Sequence, residues 1–533
     1  MTRALTKTTP PRQLLARILE EPHLVSAVQR LEPRVLGKLI EHVGLEDSGE
    51  LVSLATTHQL RQVFDEDLWR SDRPGKDETF DDARFALWLE IMLEAGDDLA
   101  ARKLAELDED LLTLALCKRI LVIDIDALAV IMSESERSSE ADLTDKALES
   151  CLYHELEEYR LIARDEERWD SILSALLALD KEHHELMRRL LDRCCAISTE
   201  HIEDNGGLYH VLTSGEMLES DLGAEREDRR EREGFVAPSS AASFLSLARV
   251  TARRELVGST AADPVSRAHL RRVQPRRPAV QQPERDEPEA AGLVRLLREA
   301  DVLPEPHALA LLEAPAASRA RLMQQAIARL REQDPVLYAE RLRELAYLAN
   351  VLLAGCGLEG RRFRAVEAAE AVVATCSLGL DHLLEAEPAA RREAEVAERA
   401  AARVSADGAV KLFGIGWNIL HHDLALRAAR ALLDALGRSQ AEPAVARKLA
   451  AVSSALSAAV ASGKVWLARG KLGLLAGTYD PPTLAALGAA LDECPSAAPA
   501  PRDEADPSRQ RSRFIASLAE LRELQAQLAR ALR

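Results

Sequence analysis

The sequence contains few aromatic residues and no long apolar run. Phe, Trp and Tyr make up 4% of the 533 residues, whereas hydrophobic residues as a whole make up 47%. Sizeable cores must therefore be built from Leu, Ala, Val and Ile, and this composition favours helices over sheets. No stretch of about 18 apolar residues is present, so we expect no membrane-spanning helix.

Cysteine pairs and nucleotide-binding signatures are also missing. The seven cysteines are scattered, and none has the spacing of a zinc knuckle or a CxxC redox motif. There is no Walker A sequence, no GxGxxG after a strand and no GxSxG elbow. Scattered thiols suit a reducing cytosol, and the N-terminus lacks the apolar core of a signal peptide. We therefore expect a cytoplasmic protein without a cofactor.

Charge is distributed unevenly along the chain. Residues 1–258 contain 54 Asp and Glu against 32 Lys and Arg, a net charge of −22. Residues 259–533 contain 34 against 37, a net charge of +3, and the two halves sum to the overall −19. The acidic half would be repelled by nucleic acid, so we expect no nucleic-acid partner for it. Acidic helix faces that merely keep the protein in solution would explain the same excess.

A segment rich in proline and arginine, Ser259–Gly292, divides the chain. It contains five prolines from Pro264 to Pro288, and five arginines crowd its first half. Because proline removes backbone donors and fixes φ, we expect neither a helix nor a central strand, but a solvated linker or a long loop. Its arginines could contact an anionic partner or the acidic half of the same molecule.

Helical patterns of roughly ten residues, joined by short turns, fill most of the remaining sequence. Isolated helices of this length are unstable in water, so each must bury its apolar stripe on its neighbours. This predicts an all-α fold, either a solenoid-like array of short helices or an irregular helical bundle, and no fixed-period repeat is found. The predicted segments are an acidic helical N-terminal domain (1–258), the linker or loop (259–292), an Ala-rich helical C-terminal domain (293–492), a disordered link (493–513) and a terminal amphipathic helix (514–533).

One stretch fits either a helix or a strand. Ile120–Met132 alternates apolar and acidic residues in its first half, and its second half has a helical pattern. We favour a helix here, and we also predict a helix over Leu148–Ala163.

Several blocks together resemble an uncharacterised bacterial family of unknown function. The blocks are LLARILEEPHLVSAVQRLEPRVLGKLIEHVGLEDSGELVSLATTHQLRQVFDEDLWRSDR and WLEIMLEAGDD near the N-terminus, and EGF, AYLANVLLAG, SLGLDHL and LFGIGWNIL later. The resemblance covers most of residues 12–490, and it implies no activity or catalytic residue. Residues 30–68 more faintly resemble the helical cytosolic N-terminal domain of bacterial magnesium channels in their helix rhythm, without the pore.

The dipeptide His422-Asp423, preceded by His382, is the sharpest candidate for chemistry. Metal-dependent phosphohydrolases of the His-Asp type use a His, a His-Asp pair and a later Asp on packed helices. Asp480 or Asp492 would be the last ligand here. However, the composition predicts about 0.8 His-Asp pairs by chance, and one is present, so a solvated helix face is the better interpretation.

Two other groups have spacings that can seat a metal. Cys151, His154, Glu155 and Glu158 would share one face of a helix. Asp180 lies one turn before His184, but the adjacent His183 points to a different helix face. Acidic helices generate such spacings freely, so we assign neither group as a metal site.

Glycines flank two further positions. The Gly355-Cys356-Gly357 sequence resembles a helix stop, and Gly414-Ile415-Gly416 more plausibly permits close helix packing than phosphate contact. Trp417 follows directly, surrounded by apolar residues, and we predict that it anchors the C-terminal core.

We interpret the chain as a helical protein-protein interaction scaffold with no assigned catalytic, cofactor-binding or metal-binding residue. The alternative is a metal-dependent hydrolase that uses His382, His422 and Asp423. Enzymatic activity is uncertain from the sequence, and the oligomeric state is not indicated.

Overall fold

A computed structural model describes most of the chain and confirms a predominantly helical fold. No helix among the described residues is both long enough and apolar enough to cross a membrane. The described residues are 11–21, 23–125, 151–203, 213–258, 264–272, 288–300, 302, 322–387, 393–438, 443–498 and 514–533.

The first half of the chain contains helices, most of them short, and small antiparallel strands. Its elements are α1 (Pro11–Leu19), α2 (Leu24–Arg30), α3 (Pro33–Val43), α4 (Gly49–Leu54), α5 (Thr57–Asp67), β1 (Trp69–Arg70), β2 (Thr79–Phe80), α6 (Asp82–Glu94), α7 (Asp97–Ala105), α8 (Glu109–Arg119), β3 (Ile120–Asp124), β4 (Tyr153–Leu156), β5 (Tyr159–Ala163), α9 (Trp169–Glu203) and α10 (Ser214–Arg232).

Longer helices dominate the rest of the chain. The elements are α11 (Pro238–Val250), α12 (Arg253–Gly258), α13 (Pro264–Arg272), α14 (Pro288–Glu299), α15 (Leu322–Gln333), α16 (Pro335–Gly355), β6 (Gly357–Leu358), β7 (Arg361–Arg362), α17 (Ala365–Glu385), α18 (Glu393–Ile419), a π-helix (Leu420–Leu426), α19 (Arg427–Arg438), α20 (Pro443–Ser462), a 3₁₀-helix (Val465–Leu475), α21 (Pro481–Ala490) and α22 (Leu518–Ala531).

The chain divides into two compact units. The N-terminal unit comprises Met1–Arg70, Glu78–Asp228 and Arg276–Glu305, and the C-terminal unit comprises Ser71–Asp77, Arg229–Pro275 and Pro306–Arg533. Each unit has its own hydrophobic core. Along the chain, residues 229–275 belong to the C-terminal unit, residues 276–305 to the N-terminal unit, and the residues after 305 to the C-terminal unit again. The sequence predicts a single boundary segment in this region.

The core of the N-terminal unit contains a few well-placed aromatic rings. Trp88 is fully buried, its indole N–H donates to Asp67 at 2.6 Å, and its ring meets Phe64 edge-to-face. Nearby, the buried amide of Gln59 donates to the carbonyls of Val28 and Leu31 at 2.8 Å each. These hydrogen bonds pair polar groups that would otherwise be costly to bury.

A close helix crossing forms the centre of the C-terminal unit. A Cβ atom at Gly379 of α17 would lie 2.0 Å from the Leu412 carbonyl oxygen of α18. A Cβ at Gly416 of α18 would lie 2.0 Å from the Thr375 carbonyl oxygen of α17. Because each helix presents a glycine to the other's backbone, the two can approach more closely than side chains allow. The packing role predicted for the Gly414–Gly416 stretch is confirmed at Gly416.

Trp417 follows this crossing and lies in the core, as predicted. It is 2% exposed, and its indole N–H donates to the Leu245 carbonyl at 3.1 Å. Its ring stacks on Phe413, which in turn stacks on Phe244.

The prediction of a helix-free segment at Ser259–Gly292 is wrong for part of its length. Pro264–Arg272 is the helix α13, and α14 begins at Pro288. In α13, the His269 ring packs against the Tyr347 ring with a centroid distance of 4.8 Å. The Ser266 hydroxyl donates a hydrogen bond to the Tyr347 hydroxyl at 3.1 Å. Both prolines lie at the first helical position, where a missing N–H costs nothing. Residues 259–263 and 273–287 lie outside the described residues.

Two helix predictions are wrong because the residues form a three-stranded antiparallel sheet. Ile120–Asp124 is β3, and the predicted helix over 148–163 contains β4 and β5, with strand order β3-β5-β4. Leu156 pairs with Tyr159, so Glu157 and Glu158 form a two-residue hairpin turn. Residues 126–150 lie outside the described residues.

The second predicted link, residues 493–513, is packed at its start. Cys494 and Ser496 are each 1% exposed, so this part does not behave as a disordered segment. Residues 499–513 lie outside the described residues. The terminal amphipathic helix is confirmed as α22, which buries four leucines in the C-terminal core: Leu518, Leu521, Leu524 and Leu528.

The glycine crossing predicts opposite effects for two nearby alanine substitutions. Gly416→Ala should lower the free energy of unfolding by about 1–3 kcal/mol or more, because the backbones must separate. Gly414→Ala, whose Cβ would lie 4.0 Å from the nearest atom, Leu256 Cδ2, should raise it by about 0.5–1 kcal/mol, since alanine favours a helix interior. Urea unfolding of the full-length chain measures both, and equal effects would contradict the crossing.

Trp417 gives a second stability prediction. Trp417→Ala should lower the free energy of unfolding by about 3–5 kcal/mol because it removes a buried aromatic side chain. Trp417→Phe should cost less, since it keeps most of the apolar area and loses only the hydrogen bond to Leu245. Thermal unfolding of the full-length variants is the measurement, and an unchanged midpoint in the alanine variant would show that Trp417 is not a core anchor.

Candidate functional site

The structure does not assemble the metal site suggested by His382, His422 and Asp423. His422 lies with its Nε2 atom 2.9 Å from the Arg249 carbonyl oxygen, and Asp423 pairs with the Arg253 guanidinium at 2.9 Å. All three residues are described by the structure. Their potential ligand atoms do not all lie within 4.8 Å of one another, as the ligands of one ion would. An arginine therefore balances the Asp423 charge.

The neighbouring candidates in the C-terminal unit have structural roles. His421 is buried between Trp417 and Trp466, and burial lowers the pKa of its imidazole to about 3, so it stays neutral. Asp480 caps α21 by accepting the Thr483 N–H at 3.0 Å. Asp492 is buried and accepts the Glu359 N–H at 2.6 Å.

Cys151, His154, Glu155 and Glu158 do not share a helix face, because the chain is extended here. His154 and Glu155 are successive residues of β4, so their side chains point to opposite faces of the sheet. The Glu155 carboxylate pairs with Arg160 of β5 at 2.6 Å. The metal spacing expected for a helix is therefore lost.

The structure does bring Asp180 and His184 together, and adds a residue that the sequence pattern did not indicate. The Nδ1 atom of His184 lies 2.9 Å from the Asp180 carboxylate on α9. Glu157 reaches the other side of the ring from the β4–β5 turn, with its Oε1 atom 3.6 Å from His184 Nε2. These are the one group of three His, Cys, Asp or Glu residues in the described parts of the chain with metal-compatible spacing.

Local backbone conformations position this group. Glu157 has a φ of 53°, the left-handed conformation that a tight hairpin turn uses. The helix α9 is interrupted at His183, whose φ is −142° and ψ 49°. Arg188, one turn beyond His184, pairs with Glu158 at 2.7 Å and approaches Glu157 Oε2 at 3.6 Å.

An open acidic pocket lies beside this group in the N-terminal unit. It has a volume of about 510 Å³. The end of β3, the hairpin turn and one face of α9 form its walls, through Asp124, Glu158, Tyr159, Asp192, Cys195, Ala196 and Thr199.

Tyr159 acts as a neutral hydrogen-bond donor in the pocket. Its hydroxyl donates to the Asp192 carboxylate. Burial, and then this hydrogen bond and the negative charge of Asp192, raise the pKa of Tyr159 well above its ordinary value. The pocket therefore retains a carboxylate that is held in place by a protonated phenol.

Glu157 and the pocket were missed because the hairpin was interpreted as a helix. The signal that could have found them is the apolar, β-branched and aromatic run YRLIA at residues 159–163. Such a run after two charged residues is typical of a strand that follows a turn.

Residues 2–205 match the model of a family of unknown function (DUF6178). This finding agrees with the predicted resemblance to an uncharacterised family, and the matched range contains the acidic pocket and the Glu157, Asp180 and His184 group. No curated protein and no solved structure matches the chain. None of these comparisons supports the fainter resemblance to magnesium channels.

The environment of His184 predicts its titration. The hydrogen bond to Asp180, and the charges of Glu157 and Asp180, raise the pKa of His184 despite an opposing effect of desolvation. A raised pKa in the folded state stabilises the fold below the unfolded value of about 6.5 and loses this contribution as the pH rises through the folded pKa.

We therefore expect Asp180→Asn to lower the pKa of His184, because it removes the hydrogen bond to the carboxylate. Proton NMR titration of the histidine ring resonances measures the shift in the full-length protein. The ring resonances of His58, which is exposed on α5, serve as the internal reference. An unaltered His184 titration would mean that the Asp180 contact does not persist in solution.

Proposed function

We propose that the protein is a helical interaction scaffold whose N-terminal unit binds a basic segment of a partner protein in the acidic pocket. The observation that carries this proposal is the pocket lining, in which three carboxylates converge and none of the lining residues is a lysine or arginine. The net charge of −22 over residues 1–258 has the same sign and would attract such a segment from a distance.

The charges of the pocket favour a cationic side chain. Arg188 pairs with Glu158 at 2.7 Å, and the carboxylates of Asp124 and Asp192 line the pocket beside it. A guanidinium or ammonium group between these carboxylates would form charge-assisted hydrogen bonds, the stronger class in proteins. The same charges would disfavour phosphate groups, which argues against nucleic acid.

The size and the less polar walls of the pocket suit a long basic residue. Its volume of about 510 Å³ is within the range of roughly 300–1,000 Å³ common for ligand pockets. Ala196, Cys195 and the Tyr159 ring provide apolar contacts for the methylene stem of a lysine or arginine, while the charged group meets the carboxylates.

A cytoplasmic bacterial setting belongs to the same proposal. All seven cysteines are free thiols, as expected in a reducing compartment. The alternative of a metal-dependent hydrolase stays a hypothesis that no observation favours, because Asp423 would have to exchange its Arg253 partner for an ion.

The proposal is tested by the binding of a fluorescein-labelled arginine-rich peptide to the full-length protein, followed by fluorescence anisotropy. The double variant Asp124→Asn, Asp192→Asn should weaken binding about tenfold, since each partly exposed ion pair contributes roughly 0.2–1 kcal/mol. Binding should also weaken as the salt concentration rises.

The matched control is the double variant Glu41→Gln, Glu50→Gln, which removes two negative charges from exposed positions on α3 and α4. This variant should change the affinity less than twofold. If this control and the Asp124→Asn, Asp192→Asn variant have the same effect, the peptide responds only to net charge. In that case the pocket is not the binding site.

A further inference from the structure

The geometry points to a divalent transition-metal site between the β4–β5 hairpin and α9, with His184 Nε2 and Glu157 Oε1 as ligands. Asp180 orients the imidazole from behind. This site does not depend on the proposed peptide-binding function.

The argument begins with the tautomer of His184. A neutral imidazole has one N–H donor and one acceptor nitrogen. Asp180, a carboxylate 2.9 Å from Nδ1, can only accept, so the proton of the neutral ring lies on Nδ1. The lone pair of Nε2 then points out of the ring on the side of Glu157.

Two acceptors consequently face each other. Nε2 of His184 and Oε1 of Glu157 are 3.6 Å apart, which is too long for a direct hydrogen bond. A cation between them would satisfy both lone pairs. Two ligands of a tetrahedral ion lie about 3.4 Å apart when each bond is about 2.0–2.2 Å long, so the observed separation requires only a small adjustment.

The surrounding groups leave the required atoms accessible. Arg188 approaches the other carboxylate oxygen of Glu157, Oε2, at 3.6 Å and takes Glu158 as its closer partner. Oε1 therefore faces His184. The side chains of His184 and Glu157 are 43% and 32% exposed, so water can complete the coordination of an ion.

The donor set selects the class of ion. An imidazole nitrogen suits zinc, nickel, copper and iron, whereas magnesium and calcium prefer oxygen ligands throughout. The carboxylate behind the imidazole is the arrangement that fixes ring orientation and raises ligand basicity in many metal proteins. With two protein ligands, the site should bind its ion reversibly.

Isothermal titration calorimetry with Ni²⁺, on the full-length protein under reducing conditions, tests the site. We expect one binding step that His184→Gln and Glu157→Gln each weaken at least tenfold. Asp180→Asn should also weaken it roughly tenfold or more, because outer carboxylates typically contribute 10–100-fold to metal affinity. His58→Gln, on an exposed face of α5, should leave this step unchanged.

The thermal midpoint of each variant without metal establishes that it is folded. A Ni²⁺ affinity that is the same in His184→Gln and in the native protein would overturn the site. So would the absence of any binding step in the folded native protein, which would mean that a proton on His184 alone bridges to Glu157. If Ni²⁺ binding were weakened in His184→Gln but not in Glu157→Gln, Glu157 of the hairpin would not be a ligand and the proposed site would be wrong.

Discussion

The packing of the C-terminal unit depends on the contact between α17 and α18. Two glycines there let the backbone of each helix approach the backbone of the other. Gly379 and Gly416 face carbonyl oxygens that any side chain would displace. With so few aromatic residues, the C-terminal core cannot be filled by large rings. Its helices must instead come close enough for Ala, Val and Leu to pack densely. Trp417 then occupies the space beside the crossing, and its indole N–H ties α18 to α11.

Much of the fold follows from apolar periodicity, and the exceptions have physical causes. The core position of Trp417 and the terminal helix α22 were predictable, since both rest on long, regular patterns. The sheet was missed because β3 is only five residues long and the hairpin carries alternating charges that also fit a helix face. The high proline content led to the wrong prediction of a helix-free segment at α13, where Pro264 instead starts a helix. Two polar side chains of this helix, Ser266 and His269, contact Tyr347 and hold the helix in place.

The candidate site shows why spacing alone could not identify it. Asp180 and His184 are one helical turn apart and were visible in the sequence, but Glu157 joins them only through the hairpin turn. The pocket likewise draws on three elements that are far apart in the chain. In contrast, the His422-Asp423 pair was conspicuous as a motif, yet the fold gives each residue a separate partner. The family match covers the residues of the acidic site and ends at residue 205, before most of the C-terminal unit.

The π-helix at Leu420–Leu426 has a consequence for everything that follows it. It is continuous with α18 and α19, and a π-turn holds more residues than an α-turn of 3.6. Each residue advances an α-helix by about 100°. Removing a single residue would let this segment become regular α-helix, and the side of α19 formed by Ala429 and Leu432 would still face the core. The π-turn thus absorbs one extra residue, and sequence alignments of related chains should place a one-residue length difference within Leu420–Leu426.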